Sequence, residues 1–552
     1  MTDKIKIALA QINPKLGDVT GNVTRIRKAR AEAAAGGADL VVAPELVVSG
    51  YPPEDLVLKP AFQDACRQGV EALAKETADG GPAIIVGSPW LEEGKLYNGA
   101  FLLGDGKILA KRFKYDLPNY GVFDEKRVFV PGPLPEPIDF NGVRLGLMIC
   151  EDLWFPTTAG HLKKRGADLL LVPNGSPYDH DKPEQRLDIA GSRQDETDLP
   201  IVYVNQVGGQ DELVFDGDSF ILDRGRQMRA RLPAFEEKIA VTEWQRGNAG
   251  WLCLPADIAP TLDPMESIYR AMVLGLKDYV EKNGFPGILL GLSGGIDSAL
   301  SVAVAVDALG ADRVRAVMMP SPYTSQESLD DAAACARLLG IRYDSVSIEP
   351  AMRAFDTMLR EIFAGTQKDT TEENIQSRAR GMTLMAMSNK LGHMLLTTGN
   401  KSEMSVGYAT LYGDMCGGYS VLKDIYKVTV FALSRWRNQN RPDGALGPSG
   451  PVMPDRVITK PPSAELKPDQ TDQDTLPPYD VLDGILTCLV EQEMAVDQIV
   501  AKGYDRATVL RVWRMLDLAE YKRRQAPPGV KITRRAFGKD RRYPITNGFR
   551  PR

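Results

Sequence analysis

Hydrophobic residues in the first 250 positions form short apolar runs that alternate with amphipathic stretches. Val23–Ala35 has the spacing of a helix and is followed by Gly36 and Gly37, which are typical of a helix C-terminus. Strands alternating with helices predict a layered α/β fold with parallel strand pairs. The six predicted strands are Ile5–Gln11, Leu40–Ala43, Ala83–Gly87, Val143–Cys150, Leu169–Val172 and Ile201–Asn205.

A short segment occurs twice in this half. Residues 37–44 read GADLVVAP and residues 166–173 read GADLLLVP, each with the pattern of a helix end, a strand and a proline. Polar residues follow both prolines, namely Glu45 in the first copy and Asn174 and Ser176 in the second. Because ligands collect at strand ends in layered α/β folds, these three residues are candidates for a site.

The second half repeats the strand and helix alternation more regularly. A long helical stretch begins at Met265, and the elements that follow predict parallel βαβ units. They are a strand at Gly287–Leu292, a helix at Ala299–Leu309, a strand at Val314–Met319, a helix at Ser328–Leu339, and strands at Ile341–Ile348 and His393–Thr398.

The irregular stretch 223–264 separates the two halves. We therefore predict domains at residues 1–250 and 265–552, joined by a linker at 251–264. The stretch Asn438–Thr475 is rich in Pro, Gly and Asp, and we expect it to be a mobile loop and a candidate lid.

The composition of the 552-residue chain is that of a water-soluble globular protein, with 25% charged and 43% hydrophobic residues. A net charge of -6 argues against general nucleic-acid binding, which needs a basic face. A basic cluster at 522–524 and 531–542 fits either bound phosphates or a solvated surface. No secretory signal or apolar run of about 20 residues is evident, and six cysteines without paired spacing favour a reducing compartment, so we expect a cytoplasmic protein.

The string Ser293-Gly-Gly-Ile-Asp-Ser298 lies between the strand at 287–292 and the helix at 299–309. Glycines let backbone N–H groups approach an anion, and the helix N-terminus adds favourable partial charge. Asp297 would repel a bare phosphate, so its position indicates Mg²⁺ between carboxylate and pyrophosphate. The absence of GxxxxGK[ST] from the sequence excludes a Walker-type loop.

The string SGGxDS resembles the signature of the ATP-pyrophosphatase superfamily. The resemblance implies cleavage of ATP to AMP and pyrophosphate, with adenylation of a carboxylate or carbonyl oxygen. A nitrogen or sulfur nucleophile then displaces AMP.

Cys150 is the candidate nucleophile of the first half, at the end of an apolar run and before Glu151 and Asp152. A cysteine at a buried strand end is most often a small core residue. The three histidines of the chain show no recognisable relation to Cys150. A carboxylate base and a lysine can replace histidine, and Glu45 and Lys114 are the candidates.

The order Glu45, Lys114, Cys150, with an acidic residue after the cysteine, resembles the nitrilase (carbon–nitrogen hydrolase) superfamily. The resemblance implies catalysis by these three residues, with Glu125 as an accessory glutamate. It also implies an α-β-β-α sandwich for the first domain.

A nitrilase-like amidase fused to an ATP-pyrophosphatase domain resembles the glutamine-dependent NAD⁺ synthetases. The resemblance runs from Ile5 to about Pro544 and includes strings beginning at Glu373, Thr397, Gly413, Pro462 and Glu520. It implies a Rossmann-like parallel sheet of the ATP-pyrophosphatase type for the second domain.

The resemblance assigns roles to residues of the first domain. Cys150 would attack the glutamine carboxamide, Glu45 would relay protons and Lys114 would stabilise the oxyanion. The glutamine head group would be held by Tyr120, Ser176 and Lys182. Lys182 departs from the expected pattern, because an arginine there would grip a carboxylate with two hydrogen bonds.

The resemblance also assigns ligands in the second domain. ATP would contact Gly291, Leu292, Ser293, Gly294, Gly295, Ile296, Asp297, Ser298, Thr398, Lys427 and Ser463. Deamido-NAD⁺ would contact Asn374, Glu403, Tyr408, Asp414 and Lys522. Asp297 and Glu403 would hold Mg²⁺, and Ser463 keeps the hydroxyl of a threonine in related enzymes.

The implied reaction converts deamido-NAD⁺, ATP, glutamine and water to NAD⁺, AMP, pyrophosphate and glutamate. Ammonia would pass between the two sites through a shielded path. NAD⁺ is then a product and not a cofactor. The resemblance implies a homo-oligomer, for which an octamer is one candidate, and no nucleic-acid or membrane partner.

Two other functions remain as alternatives. Another amidotransferase with the same ATP loop, such as a GMP- or asparagine-forming synthetase, would use a different glutaminase with a histidine partner or an N-terminal cysteine. A nucleotide-binding regulator with a decayed amidase would have no reason to keep Glu45, Lys114, Cys150 and Asp297 together.

Overall fold

The structure, a computed structural model, describes residues 3–248, 250–468 and 470–549. The chain divides into two compact units at residues 1–262 and 263–552. Within the described residues, no helix is both long enough and apolar enough to cross a membrane.

The first unit contains two large sheets and a short hairpin. One sheet has the strand order β15-β14-β1-β2-β3-β4-β5, the other has the order β13-β12-β9-β8-β7-β6, and β10 pairs with β11. The strands are β1 (Lys4–Gln11), β2 (Leu40–Val42), β3 (Ala83–Glu92), β4 (Lys95–Gly104), β5 (Lys107–Phe113), β6 (Ile138–Phe140), β7 (Val143–Leu147), β8 (Leu169–Asn174), β9 (Ile201–Asn205), β10 (Val207–Gln210), β11 (Leu213–Asp216), β12 (Phe220–Asp223), β13 (Gln227–Arg231), β14 (Lys238–Gly247) and β15 (Gly250–Cys253). The helices are α1 (Val19–Ala35), α2 (Pro60–Glu76), α3 (Pro156–Lys164) and α4 (Lys182–Thr197).

The two sheets face each other and carry helices on their outer faces, which gives the α-β-β-α sandwich. Strand β1 is buried on both faces, which explains its continuous apolar sequence. Ile7 and Leu9 point into the core between the sheets, whereas Ala8 and Ala10 pack against α1 and α2. Because successive side chains alternate between faces, a strand covered on both sides reads as a continuous apolar run.

The predicted strand Val143–Cys150 is too long. Strand β7 ends at Leu147, and Cys150 begins a single 3-10 turn, Cys150–Leu153. The two intervening residues, Met148 and Ile149, are buried and apolar without being part of the strand. The sheet also extends into the predicted linker, because residues 250–253 form β15 and pair with β14.

The second unit contains a five-stranded parallel sheet with the order β18-β17-β16-β19-β20. Its strands are β16 (Ile288–Gly291), β17 (Val314–Met318), β18 (Arg342–Ser345), β19 (Met394–Thr397) and β20 (Tyr419–Ser420). Its helices are α5 (Pro264–Lys282), α6 (Ile296–Leu309), α7 (Gln326–Leu339), α8 (Glu349–Leu359), α9 (Thr370–Leu391), α10 (Lys401–Val406), α11 (Lys427–Gln439), α12 (Asp455–Thr459), α13 (Tyr479–Leu486), α14 (Val496–Ala501), α15 (Arg506–Leu518) and α16 (Glu520–Arg523).

Strand β16 is central in this sheet, with β17 on one side and β19 on the other. The strand order therefore reverses at β16, and such switch points form a crevice at the carboxyl ends of the strands. The string Ser293–Ser298 leaves β16, and Thr398 leaves β19. The fold thus brings two predicted ATP-binding segments to one edge.

The predicted loop at 438–475 contains α12 and buries Val452, Met453 and Val457. It is therefore packed against the unit over part of its length.

Candidate active sites

Three charged side chains lie together in the interior of the first unit. Lys114 Nζ donates to Glu45 Oε1 at 2.7 Å and to Glu125 Oε1 at 2.8 Å. The side chains of Lys114 and Glu45 are fully buried, and that of Glu125 is nearly so. Buried charges are costly unless they are paired, and here both carboxylates pair with the one lysine.

The glutamates receive further hydrogen bonds from neutral groups. Asn98 Nδ2 donates to Glu45 Oε1 at 2.7 Å, and Tyr51 OH donates to Glu125 Oε1 at 2.8 Å. The backbone N–H of Gly175 donates to Glu45 Oε2 at 2.9 Å. Thus Oε1 of Glu45 has two donors from the described residues, and Oε2 has one.

Glu45 follows β2 and Gly175 follows β8, which are the strands of the two GAD segments. The repeated segments therefore occupy corresponding places in the two sheets, and their ends meet through this hydrogen bond.

Cys150 is 3% exposed and has a φ of 46°, a left-handed conformation that is rare for a residue with a side chain. Burial and the nearby carboxylate of Glu45 raise the pKa of the Cys150 thiol well above its usual value, and Lys114 opposes them. Burial lowers the pKa of Lys114, but Glu125 and Glu45 outweigh it and the net pKa is raised. The thiol therefore stays protonated at neutral pH and needs a base, which is available in Glu45.

The predicted glutamine-binding residues lie around this cluster. Tyr120 OH donates to Glu151 Oε1 at 3.0 Å, and both residues line a cavity of about 750 Å³. Lys182 Nζ lies 4.2 Å from the centroid of the Trp154 ring, and burial lowers the pKa of this lysine. Burial also raises the pKa of Glu151.

Ser176 is held by an arginine that the sequence analysis missed. Arg186 donates from Nε to Ser176 Oγ at 3.1 Å and from Nη2 to its carbonyl oxygen at 2.9 Å. Nη1 of the same guanidinium donates to both carboxylate oxygens of Asp216 at 2.7 Å. This buried pair fixes the position of Ser176.

In the second unit, the loop after β16 has the geometry of an anion cradle. Gly294 has a φ of 80°, and a Cβ atom there would lie 2.3 Å from the carbonyl oxygen of Ser328. Only glycine fits such a position. Helix α6 begins at Ile296, so its first N–H groups have no partner within the helix. Ser293 Oγ and Ser298 Oγ lie 3.2 Å apart beside them.

The two predicted metal ligands converge on one lysine. Lys427 Nζ donates to Asp297 and, at 3.3 Å, to Glu403 Oε1. Asn400 Nδ2 donates to Asp297 Oδ1 at 2.9 Å, while Oδ1 of the same amide accepts from the N–H of Glu403 at 3.0 Å. Burial raises the pKa of Glu403 to about 8, although Lys427 opposes it.

No group of three or more His, Cys, Asp and Glu residues capable of holding a metal occurs in the part of the chain that the structure describes. Two carboxylates and substrate phosphates are a usual ligand set for Mg²⁺, so Asp297 and Glu403 fit that ion.

Two cavities meet at the loop. The larger, of about 580 Å³, has apolar walls that include Val317, Met319 and Leu384. The smaller, of about 190 Å³, includes Asp297, Glu403 and Lys427. Predicted ATP-binding residues that line both cavities are Ser293, Gly295, Ile296, Thr398 and Ser463. Gly291 and Leu292 line the larger, and Ser298 lines the smaller.

The predicted dinucleotide ligands are only partly gathered. Tyr408 and Asp414 line the smaller cavity with Glu403. Asn374 Oδ1 instead accepts from Thr410 Oγ1 at 3.0 Å. Lys522 Nζ donates to the carbonyl oxygens of Gly407 and Ala409 at 2.8 and 2.6 Å. These two residues thus contact the segment that leads to Asp414.

Three cations of the basic cluster near the C-terminus are structural. Lys531 pairs with Asp540 at 2.9 Å, and Arg523 and Arg541 both pair with Glu520. All five residues are largely buried, so these cations form neither a solvated face nor an anion site.

Four further residues touch the predicted sites and carried no signal of their own in the sequence: Tyr51, Asn98, Arg186 and Asp472. Asp472 lines the smaller cavity and accepts from Tyr479 OH at 2.7 Å. Asn400 could have been found, because it lies in the string Thr397–Glu403.

Comparison with known proteins supports the division of roles. A family model described as carbon–nitrogen hydrolase matches residues 6–250, and one described as NAD synthase matches residues 268–526.

Relatives that match this chain over their full length share one name. The chain is 52% identical to the glutamine-dependent NAD(+) synthetase of Rhodobacter capsulatus over 550 residues, covering all of both chains. It is 46% identical to the protein of that name from Acinetobacter baylyi, covering 99% of each. The solved glutamine-dependent NAD+ synthetase of Acinetobacter baumannii, in complex with ADP, is 43% identical and superimposes with a TM-score of 0.79 over 99% of each chain.

Proposed function

The chain belongs to the glutamine-dependent NAD⁺ synthetases, which are ligases, and on that premise we propose how its own residues carry the reaction. The substrates are deamido-NAD⁺, ATP, glutamine and water. The products are NAD⁺, AMP, pyrophosphate and glutamate.

The first unit hydrolyses glutamine. Oε2 of Glu45, which has the fewer donors, takes the proton of the Cys150 thiol as sulfur attacks the carboxamide carbon. Two of the three N–H groups of Lys114 donate to carboxylates of the described residues, so the third is available to the oxyanion. Glu45 returns the proton to nitrogen, the C–N bond breaks, and ammonia departs while a thioester remains on Cys150. Water then attacks the thioester carbon and gives a proton to Glu45. The C–S bond breaks, sulfur takes that proton from Glu45, and glutamate leaves.

The second unit activates the acceptor. A carboxylate oxygen of the nicotinate ring attacks the α-phosphorus of ATP, and pyrophosphate leaves. Ammonia then attacks the acyl carbon and AMP leaves. The apolar walls at Val317, Met319 and Leu384 suit the adenine ring, and the loop at Ser293–Ser298 suits the phosphates.

Mg²⁺ would be held by Asp297 and Glu403. When bound, it supplies positive charge that offsets the charge of the ATP phosphates. Lys427 and Asn400 hold the two carboxylates in place.

Ammonia must reach the second site without becoming ammonium, which lacks the lone pair that attacks the acyl carbon. A shielded transfer between the two sites follows from this requirement.

We further place the enzyme in the cytoplasm as a homo-oligomer. The six cysteines are free thiols, as in proteins of reducing compartments.

The observation that carries the proposal is that one chain holds both the buried Glu45–Lys114 pair beside Cys150 and the loop at Ser293–Ser298. The test is a product balance with purified protein, Mg²⁺, ATP, deamido-NAD⁺ and glutamine. We expect NAD⁺, AMP and pyrophosphate in equal amounts. Formation of ADP and phosphate, or ATP cleavage without deamido-NAD⁺ consumption, would contradict it.

A further inference from the structure

Asn98 on β4 contacts each of the charged residues of the first site. Its Nδ2 donates to Glu45 Oε1 at 2.7 Å and reaches Glu125 Oε2 at 3.4 Å. Its backbone oxygen accepts from the N–H of Lys114 at 2.9 Å. Asn98 is 1% exposed, so the whole amide lies in the interior.

The orientation of this amide is fixed by its neighbours. Rotation by 180° would place Oδ1 against Glu45 Oε1, and two acceptors would then face each other. Nδ2 therefore faces the carboxylates, and Oδ1 points away from them.

Oδ1 of Asn98 is buried and has no hydrogen-bond partner among the residues that the structure describes. A buried acceptor without a donor is destabilising, so such atoms are uncommon unless a ligand or water satisfies them. Here the unsatisfied oxygen belongs to an amide that is bonded to the base of the reaction.

We propose that Asn98 Oδ1 accepts a hydrogen bond from the nitrogen of the reacting glutamine carboxamide. This inference rests on the proposed glutaminase activity and adds a substrate-contacting residue to it. No proton moves to or from Asn98.

The contact has a chemical purpose. When sulfur adds to the carboxamide, the nitrogen becomes pyramidal and gains a lone pair that must face the proton on Glu45. Because Asn98 is bonded to Glu45, an N–H held by its Oδ1 directs that lone pair towards the same carboxyl group. Glu45 then gives its proton to nitrogen, the C–N bond breaks, and ammonia leaves with three hydrogens.

An ester substrate tests the contact of Oδ1 with the leaving group. Glutamate γ-methyl ester forms the same thioester with Cys150, but its leaving oxygen has no hydrogen to donate to Oδ1. Loss of Asn98 should therefore harm amide cleavage much more than ester cleavage.

The experiment compares kcat/KM for glutamine and for the γ-methyl ester in Asn98→Leu, which has nearly the same shape and no polar atom. We expect the amide-to-ester ratio to fall about 10- to 100-fold, as for loss of one buried hydrogen bond in a transition state. Ammonium-driven NAD⁺ synthesis should be retained, which reports an intact chain. If the leucine variant does not fold, Asn98→Ser gives the same comparison with a smaller side chain.

Asn22→Leu is the matched control. Asn22 is also 1% exposed, and its Nδ2 donates to the carbonyl oxygens of Lys15 and Val48. Its ratio should equal that of the unmodified protein even if stability falls. An unchanged amide-to-ester ratio of kcat/KM in the Asn98 variants, including the case in which both values fall equally, overturns the assignment. Asn98 would then act only as support for Glu45. Failure of the unmodified protein to hydrolyse either substrate would instead reject the proposed glutaminase.

Discussion

Charge pairing among buried side chains determines the chemistry of the first site. Glu45, Lys114 and Glu125 are buried together, and a lysine between two carboxylates stays protonated because its pKa is raised. Cys150 stays neutral instead, because both burial and the nearby carboxylate of Glu45 disfavour its thiolate. The site therefore holds a neutral thiol beside a base until substrate arrives.

The pKa of Cys150 should respond to its neighbours with a defined sign. Glu45→Gln removes a negative charge near the thiol, so the thiolate becomes easier to form and the pKa falls. Lys114→Met removes a positive charge and should raise it. The measurement is the pH dependence of Cys150 alkylation by iodoacetamide, followed by peptide mass spectrometry.

We expect the alkylation profile to move to lower pH in Glu45→Gln and to higher pH in Lys114→Met. Arg127→Met, at an exposed ion pair, is the control and should leave the profile in place. Profiles that do not move in either active-site variant would show that these charges do not act on the thiol.

Substitution of Asp297 should separate AMP release in the second unit from glutamine hydrolysis in the first. Its carboxylate is bonded to Lys427 and Asn400 beside the phosphate loop. Asp297→Asn should abolish AMP release with either glutamine or ammonium, because one of two proposed Mg²⁺ ligands is lost. Glutamine hydrolysis in the first unit should persist.

Mg²⁺ binding gives a second readout for Asp297, measured by calorimetry with ATP present. The affinity of Asp297→Asn for Mg²⁺ should fall at least about tenfold, because a charged ligand is removed. Asp312→Asn, at an exposed position beyond α6, should change neither quantity. Normal turnover in Asp297→Asn would remove the proposed role.

At the level of elements, several apolar runs covered on both faces were predicted, but the buried strands β4 and β12 were missed. Strand Ile201–Asn205 is confirmed to the residue, since both its faces are buried. Strand β5 was missed because its residues 107–113 alternate between exposed and partly buried, and pairing with β4 holds it in the sheet. The left-handed turn at Cys150 is set by tertiary packing and has no local sequence signal.

Prediction of the site residues from the sequence was limited in a similar way. Residues in rigid strings, such as Ser293–Ser298, could be found because glycine and serine there have a geometric purpose. Arg186 and Asn98 act through partners more than eight residues away, at Asp216 and Glu45, and no spacing rule reveals such pairs.

We predict that helix α8 forms the contact between copies in the proposed homo-oligomer. None of its described residues is buried, Phe355 and Met358 lie about one helical turn apart, and Ala351 and Met352 pack against the core cluster of the unit. Phe355 is 41% exposed and Met358 is 69% exposed. Adjacent exposed apolar residues mark protein contact surfaces, and a second copy of this chain is the occupant we predict.

Phe355→Glu combined with Met358→Glu should lower the mass measured by light scattering, because two charges would be buried in the contact. Leu518→Glu on α15, at a residue 55% exposed, is the matched control and should leave the mass unchanged. An oligomer that survives both variants equally places the contact elsewhere.

At the scale of the whole molecule, two units with separate cores hold two separate chemistries. The proposed nucleophile and base lie in the first unit and the proposed anion cradle lies in the second, so the proposed reaction transfers ammonia from one site to the other. The carbon–nitrogen hydrolase model matches residues 6–250 and the NAD synthase model matches residues 268–526.

The most direct measurement of the account is NAD⁺ formation by Cys150→Ala with each nitrogen source in turn. With glutamine, activity should fall to the background, because no thioester can form. With added ammonium, deamido-NAD⁺ should still be converted to NAD⁺ with release of AMP. Loss of both activities in a folded protein, or full activity with glutamine, would contradict the assignment of Cys150 as the nucleophile that releases the transferred nitrogen from glutamine.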